Sequence, residues 1–368
     1  MMNTLGFAIL VLAPLSAFAQ EAPAHVSDTY ATATVVRVLS TEHDDSSGFD
    51  RTVQQLLVRL DDGTQETMEN AAVEGLQTSL LKPGQRVVVE ILSKSDGTVQ
   101  LLGREPYRLP SVFGLAVAFF VLAIVFAGRT GFTSIVGLCV SIMILALFVV
   151  PMIGSGQNPL MVSLAGAVAI ACTSLYLAHG FSYRTTIALL STLTTLALSL
   201  LLSIVAVRLT QLAGNGAEEA LYLQLGPLQS VNLRGLLLGG IVIGALGVLD
   251  DITTTQTAAI NEIKRANPRI GKAQLYKAGL SVGREHIASL VNTLALAYVG
   301  ASLPLLLLFW SGVDVPWWVI LNNESIVEEI VRTLVGSMTL TLAVPISTWF
   351  ACRFLRGDGS PGAHVHAH

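Results

Sequence analysis

Two carboxylates, Asp250 and Asp251, stand side by side after fifteen uncharged residues, 235–249, and are followed by three threonines and Gln256. A helix needs about 20 apolar residues to cross a hydrocarbon core, so a span that starts near residue 233 must take the aspartates in. A carboxylate at that depth costs about 2.5–3.5 kcal/mol on insertion scales and calls for a partner or a watery cavity. Acids so placed suit solute passage or proton coupling. On a helix, Gly240, Gly244, Gly247 and Asp251 fall on one face, and Thr254, Ala258 and Glu262 continue it. Small residues at this spacing let membrane helices approach closely. The expectation is therefore that these glycines pack helices and that Asp251 points at a neighbour. Asp250, about 100° round, should lie nearer lipid. The other reading places both acids at a helix end on the cytoplasmic membrane surface, although acid at a helix C-terminus opposes the macrodipole.

Polar partners recur further along. Glu285, Ser289 and Asn292 share a helix face that Gly300 extends, Thr293 adds a hydroxyl, and Pro304 should bend the span. Glu328 and Arg332 have the spacing of an i, i+4 pair, and Glu329, Thr333 and Gly336 form a second polar line. Thr192, Thr195, Ser199 and Ser203 either join such a cluster or bond back to their own helix carbonyls. The candidate polar site is thus Asp251, Asp250, Thr255, Gln256, Glu262, Ser289, Asn292, Thr293, Glu329 and Arg332. Cys139, Cys172 and Cys352 all fall in apolar runs, with no disulfide framework and no zinc spacing. His364, His366 and His368 in the terminal HVHAH bind a metal ion weakly or form a flexible polar end. No metal site and no cofactor are expected.

The elements that must position these residues follow from composition. The 368-residue chain is 52% hydrophobic and 12% charged, with mean hydropathy +0.65. Soluble domains run at about 25% charged residues, so most of this chain belongs in lipid. A net charge of −4 gives no footprint for nucleic acid. Apolar runs near 110–128, 131–153, 158–178, 186–207, 233–253, 287–310 and 331–352 predict an α-helical polytopic membrane protein of about seven transmembrane helices, occupying 108–356. Ahead of them, 1–19 reads as a signal peptide, or else as a retained anchor helix. Residues 20–107 hold alternating runs such as TVQQLLVRL and QRVVVEIL, separated by Asp62-Gly63, Pro83-Gly84 and Asp96-Gly97. Period two with such turns predicts a small extracytoplasmic β-rich domain, a closed barrel of the OB or SH3-like kind. Between 21 and 107 there are 14 acidic and 7 basic side chains, and no basic groove with stacking aromatics. A spacer or partner-docking role suits it better than a ligand site.

Basic residues fall on alternate loops: Arg129, Arg184, the series from Lys264 to Arg284, then Arg353 and Arg356. Glu218, Glu219, Asp314 and Glu324 fall on the others. By the positive-inside rule the barrel lies outside the cell and the C-terminus, with a flexible tail over 357–368, in the cytoplasm. Trp317 and Trp318 form an outer interfacial anchor or a short re-entrant piece.

The blocks GALGVLDDITTTQTAAINEI, GREHIASLVNTLALAYVGASLPLLLL and EEIVRTLVGSMTLTLAVPI together resemble the YibE/F-like family of multi-pass bacterial membrane proteins. The family pattern places its acidic residue after the GALG turn at Asp251, and continues through Glu262, Asn292, Glu329 and Arg332. The resemblance implies a bacterial inner-membrane protein of transporter type, with no substrate named. Three readings stand. The first is a permease for a small solute or ion. The second is a non-transporting scaffold or sensor whose outer domain binds a partner, another membrane protein or a second copy of the chain. The third is a permease subunit needing a separate ATPase, for which AQLYKAGLSVGREHI would be the coupling segment; the bland alternative is an interfacial amphipathic helix. An enzyme is not expected, because no protease, esterase or phosphate-loop motif is present.

Overall fold

The computed structural model describes residues 29–44, 51–73, 80–93, 99–226, 228–311 and 316–355. The leader over 1–19, the Asp96-Gly97 turn, Asp314, Arg356 and the histidine tail lie outside the described residues. The chain divides into two compact units, Met1–Phe119 and Phe120–His368.

The first unit is a closed barrel of β1 (Thr29–Asp44), β2 (Arg51–Leu60), β3 (Gln65–Val73), β4 (Arg86–Ser93) and β5 (Val99–Pro106). The strand order is β1-β2-β3-β5-β4, closing on β1, with only β3 and β5 parallel. Of the two kinds expected, this is the OB arrangement, a five-stranded Greek key. Alternate residues Ala33, Val35, Leu56, Val58, Val87 and Val89 fill it with Met68 and Leu101. Buried Gln54 is satisfied by Leu81 N (2.9 Å) and by the Asn70 amide (3.3 Å). At the β2–β3 turn, Asp62 accepts from Thr64 N and Thr64 Oγ1, which holds its carboxyl below the ordinary value. A depressed pKa contributes stability above the unfolded value and loses it as pH falls through the folded value. Thr64→Ala should raise the Asp62 titration midpoint toward that of a free aspartate, as read by NMR.

Among the described residues five helices are long and apolar enough to cross a membrane: Leu109–Gly154, which begins within the first unit, and Pro159–His179, Tyr183–Leu209, Leu233–Ala266 and Glu324–Phe354 in the second. The first helix contains α1 (Leu109–Ile144), a π turn and α2 (Val150–Gly154). It is not one rod. Gly128 adopts φ 55°, ψ −134°, and a Cβ on Gly131 would lie 2.3 Å from Ala123 O. Eight residues of straight helix would hold those positions about 12 Å apart, so the chain turns back at Gly128. The next helices are α3 (Pro159–His179), α4 (Tyr183–Leu209), short α5 (Glu218–Leu225) and α6 (Leu233–Ala266). Then come α7 (Lys272–Ala301), α8 (Leu303–Trp310), short α9 (Trp317–Leu321) and α10 (Glu324–Phe354). The sixth expected span differs. Its helix begins at Lys272 rather than near 287, and Pro304 opens the new helix α8 instead of bending α7, because proline fits a helix's first turn. α7 is not among the five apolar candidates.

Contact pairs fix the helix directions. Gly235 with Pro159, Gly239 with Ser163, and Asp250 with Ser174 keep a constant offset, so α3 and α6 run parallel. Gln256 with Thr348, and Lys264 with Leu355, make α6 and α10 parallel as well. Thr192 with Thr253, and Leu212 with Arg234, make α4 antiparallel to α6. Gly279 with Ile260, and Gly283 with Gln256, do the same for α7.

The packing face of α6 is not the expected one. Gly240, Gly244 and Gly247 are exposed, and a Cβ on Gly240 or Gly247 would meet nothing within 4 Å. Gly239 is in the seam, where a Cβ would lie 2.3 Å from Ser163 Oγ. The large residues Leu246, Leu249, Ile252 and Ile260 follow that buried side, and helix periodicity leaves Gly240 and Gly247 outward, with Gly244 toward Tyr298 of α7. The stretch AQLYKAGLSVGREHI lies within α7 as one uninterrupted helix. Its glycines are taken up internally, Gly279 against Thr348 and Gly283 against Val344.

Candidate functional site

Asn232 caps α6 by accepting from Gly235 N (2.9 Å), and the apolar run carries the helix down to the acids. There the two aspartates part. Asp250 is half-buried and turned toward α3, where Ser174 Oγ donates to its Oδ2 at 2.9 Å. Its Oδ1 is buried with no hydrogen-bond partner among the described residues. His179, at the end of α3, and Asp251 are near enough to act on its charge. Asp251 is exposed. This corrects the expectation that Asp251 is the inward acid, since the face that packs is rotated by one residue.

One turn beyond, a cleft of about 220 Å³ opens between the end of α3, the start of α4 and α6. His179, Arg184, Thr185, Thr254 and Thr255 line it with two alanines. Thr254 and Thr255 donate to the carbonyls of Asp250 and Asp251, at 2.8 and 2.7 Å. Thr185 is buried, and Ser182 caps α4 by accepting from Thr185 N.

Between α4, α6 and α10 runs a buried polar seam. Ser191, Thr192, Thr195, Ser199 and Ser203 are fully buried, facing Thr253, Thr257, Thr339, Ser347 and Thr348. Most of these hydroxyls bond back to their own helices, as Ser191 does to Ile187 O and Ser347 to Ala343 O. Thr192 and Thr253 join across the seam at 2.6 Å. Buried Gln256 donates to Gly279 O (2.8 Å) and Thr348 Oγ1 (2.9 Å), tying α6 to α7 and α10. Its role in the fold is a cross-brace.

A second charged group lies toward the other end. Arg332 pairs with Glu329, not with Glu328, and the two side chains are 29% and 28% exposed. Tyr298 faces this pair from α7, and Arg332, Tyr298 and Gly244 line a small void at the α6–α7–α10 junction. Glu328 instead accepts from Gly216 N (2.9 Å), while Glu324 accepts from Ala213 N and Gly214 N. The acids at the head of α10 thus clasp the loop after α4.

The remaining expected members do not gather. Ser289, Asn292 and Thr293 are exposed on α7, with Thr293 bonded to Ser289 O. Glu262 pairs with Arg265 on the surface. Ser174, His179, Arg184 and Tyr298 complete the polar groups, and nothing in their spacing announces them. Ser174 and His179 stand in an otherwise ordinary apolar span. Among the described residues no group of three or more acid, histidine or cysteine side chains could hold a metal ion.

Long apolar helices packed around a small polar interior, in a chain that also carries a five-stranded barrel, define an α-helical integral membrane protein. The chain belongs to the YibE/F-like family, whose profile, described as YibE/F-like protein, matches residues 115–357. No curated protein and no solved structure gave a match.

Proposed function

We propose that this protein is a permease for a small solute or ion in the bacterial inner membrane, with Asp250 as the charged group of its path. The observation that carries the reading is the Asp250 carboxylate, half-buried in a membrane helix with one oxygen bonded to Ser174 and the other without a partner among the described residues. An ionisable group at such a place is costly and is kept for ion pathways and relays far more often than for folding. A cleft opens about one turn away along α6, and the Glu329–Arg332 pair offers a second polar station beyond the seam.

The topology proposed with it has seven crossings. The turn at Gly128 divides the first long helix, α7 with α8 supplies the sixth crossing, and the contact pairs make successive segments alternate in direction. With the basic loops in the cytoplasm, the barrel lies outside and the C-terminus inside. In this reading the closed middle of the bundle is one state of an alternating device. A second reading, a scaffold or sensor, draws support from the same seam, whose hydroxyls are buried and mostly bonded to their own helix carbonyls.

Reconstitution decides between them. Full-length protein in liposomes on a solid-supported membrane should give transient currents for some member of a panel of pH, cation and anion jumps. Asp250→Asn should lose them. Silence across the panel, from protein shown to be folded and inserted, would leave the scaffold reading.

A further inference from the structure

We propose that the cleft at the α3–α4 turn binds a small phosphate-type oxyanion, free or as a lipid headgroup. This deepens the permease reading by naming a ligand class for the polar end of its path.

Charge is the first ground. Arg184 and His179 line the cleft and no carboxylate does. Asp250 is one turn away, turned to Ser174 on α3. Arg184 is exposed at the start of α4 and makes no hydrogen bond and no ion pair among the described residues. At the same end Arg265 pairs with Glu262 and Lys264 donates to Leu355 O; what sets Arg184 apart from Arg269, Lys272, Lys277 and Arg284 is that it lines this cleft beside His179. An unengaged guanidinium is the side chain best fitted to a tetrahedral oxyanion, since it presents two parallel donors.

The wall supplies the second ground. Thr254 and Thr255 spend their hydroxyl protons on carbonyls of their own helix, and each has a second carbonyl in reach. Such local bonds are weak enough for an anion to take over. α4, a 27-residue helix, begins at this wall, so the positive end of its dipole adds to the field.

Size is the third. About 220 Å³ equals roughly seven waters at ~30 Å³ each. Drug-sized sites start at about 300 Å³. A phosphate group fits with some water retained, and a nucleotide does not.

A flanking arginine that merely obeys the positive-inside rule would lie among headgroups without selecting an anion. Calorimetric titration of full-length protein in neutral detergent with inorganic phosphate, against chloride at matched ionic strength, separates the cases. Nanodiscs of phosphatidylcholine with and without phosphatidylglycerol form the second arm, read by melting temperature. Arg184→Gln should weaken phosphate binding by about tenfold or more. His179→Gln should weaken it less, and Arg184→Lys should retain part. Stabilisation by phosphatidylglycerol alone, lost in Arg184→Gln, assigns the same chemistry to a headgroup. If neither ligand binds the wild type, or Arg184→Gln binds as the wild type does, the proposal is overturned. Binding is read here without transport. A protein that binds phosphate but moves no charge keeps this site and loses the permease reading, and the converse result does the reverse.

Discussion

Gly239→Val is expected to abolish assembly of the bundle, while Gly240→Val, one residue on, leaves it intact. Both substitutions carry the same helix-propensity cost, so the contrast reads packing alone. A Cβ at Gly239 would lie 2.3 Å from Ser163 Oγ and 2.8 Å from Ser163 Cβ, with Pro159 O at 3.4 Å. The serine sits on α3 in the constant-offset seam that also joins Gly235 to Pro159 and Asp250 to Ser174. Relief at Gly239 therefore requires α3 to slide or tilt along its length. Overpacking a fitted core costs about 1–3 kcal/mol, and more where backbone must move. Without hydrophobic drive between helices in lipid, that close approach is a main source of their association. At Gly240 a Cβ meets nothing within 4 Å. Gly244→Ala should be mild, because its Cβ would meet only Tyr298 Oη at 3.6 Å, whereas the longer side chain of Gly244→Leu would crowd the small void beside Tyr298 and Arg332. Membrane abundance and detergent melting temperature measure all of these. Equal losses at Gly239 and Gly240 would refute the seam; a loss at Gly240 alone would mean another chain covers the stripe.

The class of the protein is legible in sequence because composition and run length report solvent directly. The barrel is legible for a related reason: period-two strands closed by Asp62-Gly63 and Pro83-Gly84 specify local geometry, and both glycines take positive φ. What sequence does not give is rotation. Neighbouring residues on a helix differ by 100°, so choosing between Asp250 and Asp251, or between Gly239 and Gly240, needs the position of the adjacent helix. In water the apolar stripe would settle the choice. In lipid both the Leu246–Leu249–Ile260 side and the glycine side are acceptable to the surroundings, and the decision passes to fit against α3, α4 and α10. The Arg332 pairing fails for a similar reason. Spacing allows Glu328 at i−4 and Glu329 at i−3, and the backbone N–H of Gly216, distant in sequence, takes Glu328 away. Ser174 and His179 become site residues only once α3 lies parallel to α6.

That rotation sets the second large effect. Asp250→Asn should remove function without lowering stability, and Asp251→Asn should alter neither. Asparagine keeps the shape of the Asp250 side chain, and its oxygen can still accept from Ser174. The amide replaces the oxygen that now has no partner, so no existing bond is lost. Removing a charge from a half-buried place also removes its desolvation cost, and the melting temperature should hold or rise, by the equivalent of about 1 kcal/mol at most. A residue kept for folding would behave in the opposite way, since breaking its bonds would lower stability. Charge movement in liposomes should fall by about tenfold or more, the effect of losing an ionisable group that participates directly in the path. Ser174→Ala makes the intermediate case: the carboxylate remains but loses its one donor, so function should weaken while the protein still assembles. Asp251 is exposed beside the glycine stripe and makes no side-chain hydrogen bond among the described residues, so its removal breaks no contact and takes away only a minor repulsion of the Asp250 charge. If Asp250→Asn melts well below wild type while Asp251→Asn is the variant that stops charge movement, the inward acid has been misassigned and the path follows the glycine face instead.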